Sequence, residues 1–288
     1  MSEYVILTDS ACDIHDEILA EWGVDYASLS FTFKGNEKQY KNNEMPIGEF
    51  YAKMREGGVA KTAALNASDH TQLFERYLSL GKDILYIGFS SGLSSTYNAS
   101  RIASSELCGK YPDRKIITVD GLAASAGQGL LVYLAVKNKN EGRAIEENAA
   151  FVEKNKLHIC HFFTVDDLVY LTRGGRVSPT VAFVGGLLGI KPILHVDDEG
   201  HLINIGKVRG RITSIKALAD KYTELAVDKK DGVVYISHGD CIEDAKTLAK
   251  MISDTHGAKV GIITDVGAVI GAHAGPGTLA LFFVGSHR

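Results

Sequence analysis

The 288-residue sequence predicts an α/β chain in two parts, the first built on a parallel sheet and the second of α+β type with antiparallel pairing. Three observations carry that reading. In the first half, short β-branched runs ending in small polar residues alternate with amphipathic stretches, the rhythm of a doubly wound layer. From about residue 157 the order of elements changes and a hairpin pattern appears. The length also exceeds the roughly 100–200 residues of one typical domain.

Taken in order, YVILTDS from Tyr4, DILYIGFSS from Asp83 and RKIITVDG from Arg114 read as buried parallel strands. Between them, DHTQLFERYLSL (69–80) and SSTYNASRIASSEL (94–107) place apolar residues near helical spacing and are long enough to cross over a sheet. FTFKGNEKQYKNNEMPIGEF breaks the rhythm. Phe31 and Phe33 alternate and a turn-rich polar stretch follows, so a strand or hairpin and then a loop are expected. A polar helix over 139–156 gives way to LHICHFF, which places a boundary between domains 1–160 and 161–288. Thr164 and Asp167 have the spacing of a capping box for a short helix, VDDLVYLTR, that Gly174 and Gly175 end. KPILHVDDEGHLINIGKVRG holds two β-type runs around an Asp-Asp-Glu-Gly turn, a hairpin. GVVYISHG and KVGIITDVG, further β-type runs, flank a helix over 242–255.

The composition, 45% hydrophobic and 23% charged, excludes a disordered or fibrous chain. A net charge of −4 gives no field to hold a polyanion, so neither nucleic acid nor an anionic membrane surface is an expected partner. Cys12, Cys108, Cys160 and Cys241 stand far apart without a CxxC pair, the pattern of reduced cytoplasmic thiols and not of a redox motif or a Cys-rich zinc site. The start, MSEYVILTDS, lacks a signal-peptide core, and no apolar run approaches the ~20 residues of a membrane-spanning helix. A cytoplasmic protein without integral membrane association is expected.

GFSSG at 88–92 fits the nucleophile-elbow pattern, and a serine hydrolase would use Ser90, Asp265 and His273 in that order. Gly92 and Leu93 separate the serine from the helical pattern, however, and a turn of small residues is the competing account. SSGLSSTYN (90–98) also reads as a strand end, a hydroxyl-rich loop and a helix N-terminus, an arrangement that binds anions. Simple capping by Ser94 or Ser95 is the alternative. The further hydroxyls of Ser90, Ser91 and Thr96 favour a ligand, which also leaves a small-anion-binding regulator open. GAHAGPGTLALFF from Gly271 matches the G-x-G-x-x-A spacing but leaves no room for a βαβ unit, so it reads as a glycine-rich loop carrying His273 ahead of a strand.

Arginines cluster in two glycine-flanked turns, Arg173-Gly-Gly-Arg176 and Lys207-Val-Arg209-Gly-Arg211, where a guanidinium fork serves solubility or pairs with oxyanions and acidic partners. His158, Cys160 and His161, with His238 and Cys241, are metal-ligand types. On a strand His161 faces opposite to the first two, so no metal site is expected. Asp9 ends the first strand, where open α/β sheets place ligand or support groups.

TDSACD, SSGLSSTY, DDLVYLTRGGRVSP, GIKPIL, GKVRGR and GAHAGPGTLALFF occur in the order seen in the DegV family of bacterial lipid-binding proteins, and the chain resembles that family over nearly its whole length. The resemblance implies a Rossmann-like N-terminal domain and a C-terminal α+β domain with a mainly antiparallel sheet. It implies a long-chain, palmitate-like fatty acid between them. It further implies a carrier with no catalytic turnover and no cofactor, presenting the acid to a separate fatty acid kinase that makes an acyl phosphate for phospholipid synthesis. The family holds the carboxylate through a loop threonine, the serine of an L-S-G-T loop and the histidine of a G-A-H loop. Those positions are Thr62, Ser94 and His273, with the Ser95 backbone N–H a further donor. Arg173, Arg176, Arg209 and Arg211 match the family's basic turns, which implies contact with the kinase. Two positions depart from the pattern: Thr62-Ala63-Ala64-Leu65-Asn66 lacks the polar and proline residues that follow the threonine, and Ser95 replaces a glycine.

Hydroxyl and amide donors suit such a site, because they satisfy a buried carboxylate without a fixed ion pair. The tail dominates affinity. At ~0.8 kcal/mol per methylene, about fourteen methylenes offer roughly 11 kcal/mol before ordering costs, against ~1.5–3 for each hydrogen bond to a charged group. Candidates to line an acyl tunnel are FVGGLLGI (183–190) and the Phe-rich segments.

Overall fold

The computed structural model of the chain describes residues 3–177 and 189–288. β1 (Tyr4–Asp9) is buried throughout, as an unbroken apolar run in a central parallel strand requires. A 3₁₀ turn and α1 (Asp16–Glu21) lead to β2 (Val24–Ala27), which pairs in parallel with β1. The chain then leaves this sheet: β3 (Ser30–Phe33), β4 (Tyr40–Lys41), α2 (Ile47–Arg55) and β5 (Ala60–Ala63) build a small antiparallel sheet and its helix. α3 (Ala67–Leu78) returns to β6 (Asp83–Gly88) on the other side of β1, and α4 (Thr96–Lys110) leads on to β7 (Ile116–Asp120). The sheet order is β2-β1-β6-β7. Its direction of growth reverses between β1 and β6, where strand carboxyl ends open a crevice. α5 (Ala126–Asn140) and α6 (Ile145–Asn155) follow, so the helix expected over 139–156 is divided, with Gly142 at φ +85° making the turn between them. The loop expected after the β3–β4 hairpin is instead occupied by α2.

The second sheet starts at β8 (Ile159–Thr164), followed by α7 (Val169–Arg173), β9 (Ile190–Val196) and β10 (Leu202–Arg209). Next come α8 (Arg211–Leu225), β11 (Val234–His238), α9 (Ile242–His256), β12 (Val260–Asp265), α10 (Ala268–Ala274) and β13 (Leu279–Val284). The order is β10-β9-β8-β13-β11-β12, antiparallel at every pair except β11–β12. The β9–β10 hairpin turns where the Asp-Asp-Glu-Gly run predicts. The expected Thr164–Asp167 capping box does not form: Thr164 stays in β8, paired with Leu279, and Asp167 Oδ1 accepts from Val169 N at 2.8 Å.

α5 joins the two sheets. It packs against β1 and β6 on one side and β8, β11 and β13 on the other. Being covered all round explains its lack of a polar stripe, and Leu131, Phe163 and Phe282 share one core with Ile6. Residues 183–188 of the apolar run expected to line a tunnel lie outside the described residues. No helix among the described residues is long and apolar enough to cross a membrane.

Candidate functional site

A cavity of about 280 Å³ is walled by the loop after β6, the inner face of the second sheet and α10. Its walls are chiefly apolar, with Phe89, Leu93, Phe163, Val269, Ile270 and Phe282 contributing. Such a volume is near the low end of small-molecule sites, ~300–1,000 Å³. Among the lining residues are also Thr62, Ser94, Ser95, Arg176 and His273.

Thr62 is presented by β5, opposite Phe31 of β3. His273 stands on α10, not on the glycine-rich loop the sequence predicts: Ala268, Val269 and Ala272 bury one side of a short helix that ends at Gly275, φ +83°. The His273 Nε2 and Thr62 Oγ1 atoms are 2.8 Å apart. Burial, reinforced by the Arg176 cation, pushes the imidazole down to about 4, so the ring is neutral near pH 7. Nδ1 is buried without a partner among the described residues. A Cβ at Gly174 would meet it at 2.2 Å. Gly174→Ala is therefore expected to push the ring off Thr62 and cost ~1–3 kcal/mol in chemical unfolding, as overpacking does; an unchanged midpoint would show that the ring has room to move.

Ser94 and Ser95 precede α4. Ser94 Oγ accepts from Thr96 N at 3.2 Å and lies 2.9 Å from Thr96 Oγ1, while the Ser95 side chain makes no capping bond. Ser94 thus caps the helix and lines the cavity at once. The four arginines are separated. Arg176 is half-buried in the cavity wall, with Nε and Nη2 donating to Leu93 O at 3.2 and 3.1 Å and Nη1 to Gly174 O. Arg211 pairs with Asp244 at 2.9 Å and approaches Asp166 at 3.7 Å. Arg173, over the Tyr170 ring, and Arg209, at the end of β10, are exposed.

A family profile described as an uncharacterised protein of the DegV family matches residues 3–286. The chain belongs to the DegV family. A DegV domain-containing protein of Clostridium perfringens is 44% identical over 291 residues, 100% of this chain and 99% of that relative. Among solved structures, a DegV lipid binding protein from Thermotoga maritima matches with a TM-score of 0.86 at 29% identity, covering 99% of each chain. A fatty-acid-binding DegV family protein from Thermus thermophilus matches at 0.88 and 27% identity, covering 99% of this chain and 100% of that one.

In this DegV chain the elbow reading of GFSSG fails on geometry. Ser90 Oγ is buried and donates to Gly200 O at 2.8 Å, tying the β6 loop to the β9–β10 turn. Asp265 lies 3.6 Å from His238 Nδ1, whereas His273 pairs with Thr62, so no Ser-Asp-His relay is assembled. Asp9 is a brace: its oxygens accept from Tyr86 Oη, Phe89 N, Ala11 N and Gln128 Nε2. Among the described residues no group of three His, Cys, Asp or Glu is placed to hold a metal ion.

Sequence patterns do not connect Ser125, His161 and Ser237 to this cavity, although all three line it. Ser125 Oγ donates to Asp13 Oδ2 at 2.6 Å and lies 2.9 Å from Ser237 Oγ. Only the alternation of β8 and β11 hints at which side chains face inward.

Proposed function

We propose that this DegV chain binds a long-chain fatty acid in the cavity, carboxylate toward Thr62, Ser94, His273 and the Ser95 N–H, and presents it in the cytoplasm to a fatty acid kinase. The carrier itself has no turnover and needs no cofactor, and the acid lies between domains 1–160 and 161–288. The observation that carries this reading is the pairing of Thr62 with His273, 211 positions apart, on a cavity whose other walls are chiefly apolar. With the ring proton on Nε2, His273 donates to Thr62 Oγ1 and leaves the threonine proton for the ligand. Thr96 Oγ1 accepts from Leu65 N at 3.3 Å and lies 2.9 Å from Ser94 Oγ; with the Thr96 proton directed to Ser94 Oγ, the Ser94 proton is free in the same way. Amides in the first turn of α4 add unpaired donors. The lipid-binding relative from Thermotoga and the fatty-acid-binding relative from Thermus support the tail assignment.

Native mass spectrometry followed by organic extraction tests the reading. A one-to-one increment matching a long-chain fatty acid is expected, and no lipid after incubation with palmitate and oleate would refute it. The kinase step has its own test. The exposed Arg209 is expected to face the kinase together with Arg173, while Arg211 is held by its carboxylates. Arg209→Ala should leave lipid retention unchanged and slow acyl-phosphate formation by a supplied kinase. Equal loss of lipid would remove Arg209 from the partner surface.

A further inference from the structure

We infer that the polar cleft between α1 and the start of α10 is a second ligand site, one that takes a small organic ammonium ion of the diamine class. The inference is independent of the fatty-acid reading. The cleft, of about 290 Å³, shares no lining residue with the apolar cavity. Asp13, Asp16, Glu17 and Asp265 line it, and among the described residues no lysine or arginine does. Such a lining alone would only gather counterions; the enclosed Asp13 makes it a site. Its side chain is 6% exposed, Oδ2 accepts from Ser125 Oγ at 2.6 Å, and Oδ1 has no hydrogen-bond partner among the described residues. The Gly267 N–H lies near enough to favour the charged carboxylate but does not bond it. A Cβ at Gly267, itself in the cleft wall, would stand 2.5 Å from that Oδ1 and 2.8 Å from Asn42 Nδ2. Glycine thus keeps open the space in front of the orphaned oxygen.

Desolvation makes Asp13 hold its proton near neutral pH. An ammonium group reaching Oδ1 supplies both the donor and the charge that the carboxylate lacks. The remaining acids suit the far end of the same ligand. Asp16 is fixed in place, accepting from Tyr26 Oη at 2.6 Å and Asn43 Nδ2 at 2.8 Å. Asp265 faces His238 Nδ1 at 3.6 Å, and burial lowers that ring's pKa, so it brings no cation at pH 7. Since no three of these groups are placed to hold one metal ion, an extended cation with separated N–H donors matches them.

The test is calorimetric titration of the full chain with putrescine and with butanediol, its neutral counterpart, on the wild type, Asp13→Asn and Asp265→Asn. Saturable one-to-one binding of putrescine is expected, with butanediol weaker by roughly tenfold or more. Asp13→Asn should weaken putrescine roughly 10- to 100-fold, and Asp265→Asn, which leaves the enclosed carboxyl in place, should weaken it less. No saturable binding, equal affinity for the diol, or wild-type affinity in Asp13→Asn, as diffuse attraction to surface charge would give, overturns the inference. A second measure needs no variant. The titratable groups around Asp13 are Asp9 on β1, Cys12, His15, Tyr51 on α2 and Asp265 on β12. An alkylammonium keeps its own proton well above neutrality, so binding at pH 7 should release close to one proton as Asp13 ionises. Heats measured in phosphate and in Tris, which differ in their own protonation heat, count that proton. Heats that agree between the two buffers would also overturn the inference.

Discussion

Thr62→Val and His273→Leu are each expected to lower fatty acid retention roughly tenfold to a hundredfold, the equivalent of one lost hydrogen bond to a charged group at ~1.5–3 kcal/mol. Valine keeps the β-branched shape that suits β5 and removes only the hydroxyl, so the variant isolates the donor. Leucine fills much of the imidazole's space but orphans the Thr62 hydroxyl. Because the two side chains act as one unit, joined at 2.8 Å, the double variant should lose little more than either single one. The measurement is the lipid that co-purifies, counted per protein by mass spectrometry; wild-type amounts in both variants would remove Thr62 and His273 from the headgroup site. Retention should also be level between pH 6 and 8, because the ring titrates only at about 4. The stability sign follows from the same shift. The folded ring titrates below its unfolded value near 6.5, so the unfolded chain takes up protons first and stability falls as pH drops from there toward 4.

Asp13→Asn should stabilise the protein above neutral pH by several kcal/mol. Asp13 is fully enclosed; desolvation pushes its carboxyl up to about 8, against the lowering effect of the Ser125 hydroxyl, which donates to Oδ2 at 2.6 Å. In the unfolded chain the same group titrates near 3.9. Between those values the unfolded chain loses the proton while the folded protein keeps it, so stability falls as pH rises through the window, by ~1.4 kcal/mol per unit for this group. Asparagine imitates the protonated acid, offering an N–H to Ser125 Oγ, and does not ionise. Urea unfolding at pH 5, 6.5 and 8 is the check. Subtracting variant from wild type cancels the buried histidines, whose shifts have the opposite sign, and a difference that stays constant with pH would show that Asp13 is ionised in the folded state.

The two predictions draw on different depths of the sequence. Ser94 and His273 stand in strings that mark the family, and their chemistry is legible in those strings, whereas Thr62 stands in a segment that keeps the threonine and departs from the family pattern after it. Asp13 lies in TDSACD, yet nothing in that string says that α5 and β11 bring Ser125 and Ser237 against it. The strands β1, β6 and β7 are legible because each is a continuous buried run, and the β9–β10 hairpin because its turn chemistry is local. β2 and β5 are not, being four-residue strands whose pairing is decided by neighbours already in place. α5 carries no amphipathic signal, since a helix lying between two sheets has no polar face to show.

Arg176 marks the division most sharply. Its glycine-flanked turn reads as a surface device, and the residues beside it say no more; that it turns inward shows only in the tertiary structure, where the Leu93 carbonyl receives it. By itself the sequence determined the strands β1, β6 and β7, the β9–β10 hairpin, the family, and the chemical types available to hold a headgroup, because periodicity and turns are written in neighbouring residues. Which of those groups face one cavity was decided only by the tertiary structure, because the contacts that assemble it join residues as far apart as Thr62 and His273, and the burial that holds His273 neutral exists only once they have met.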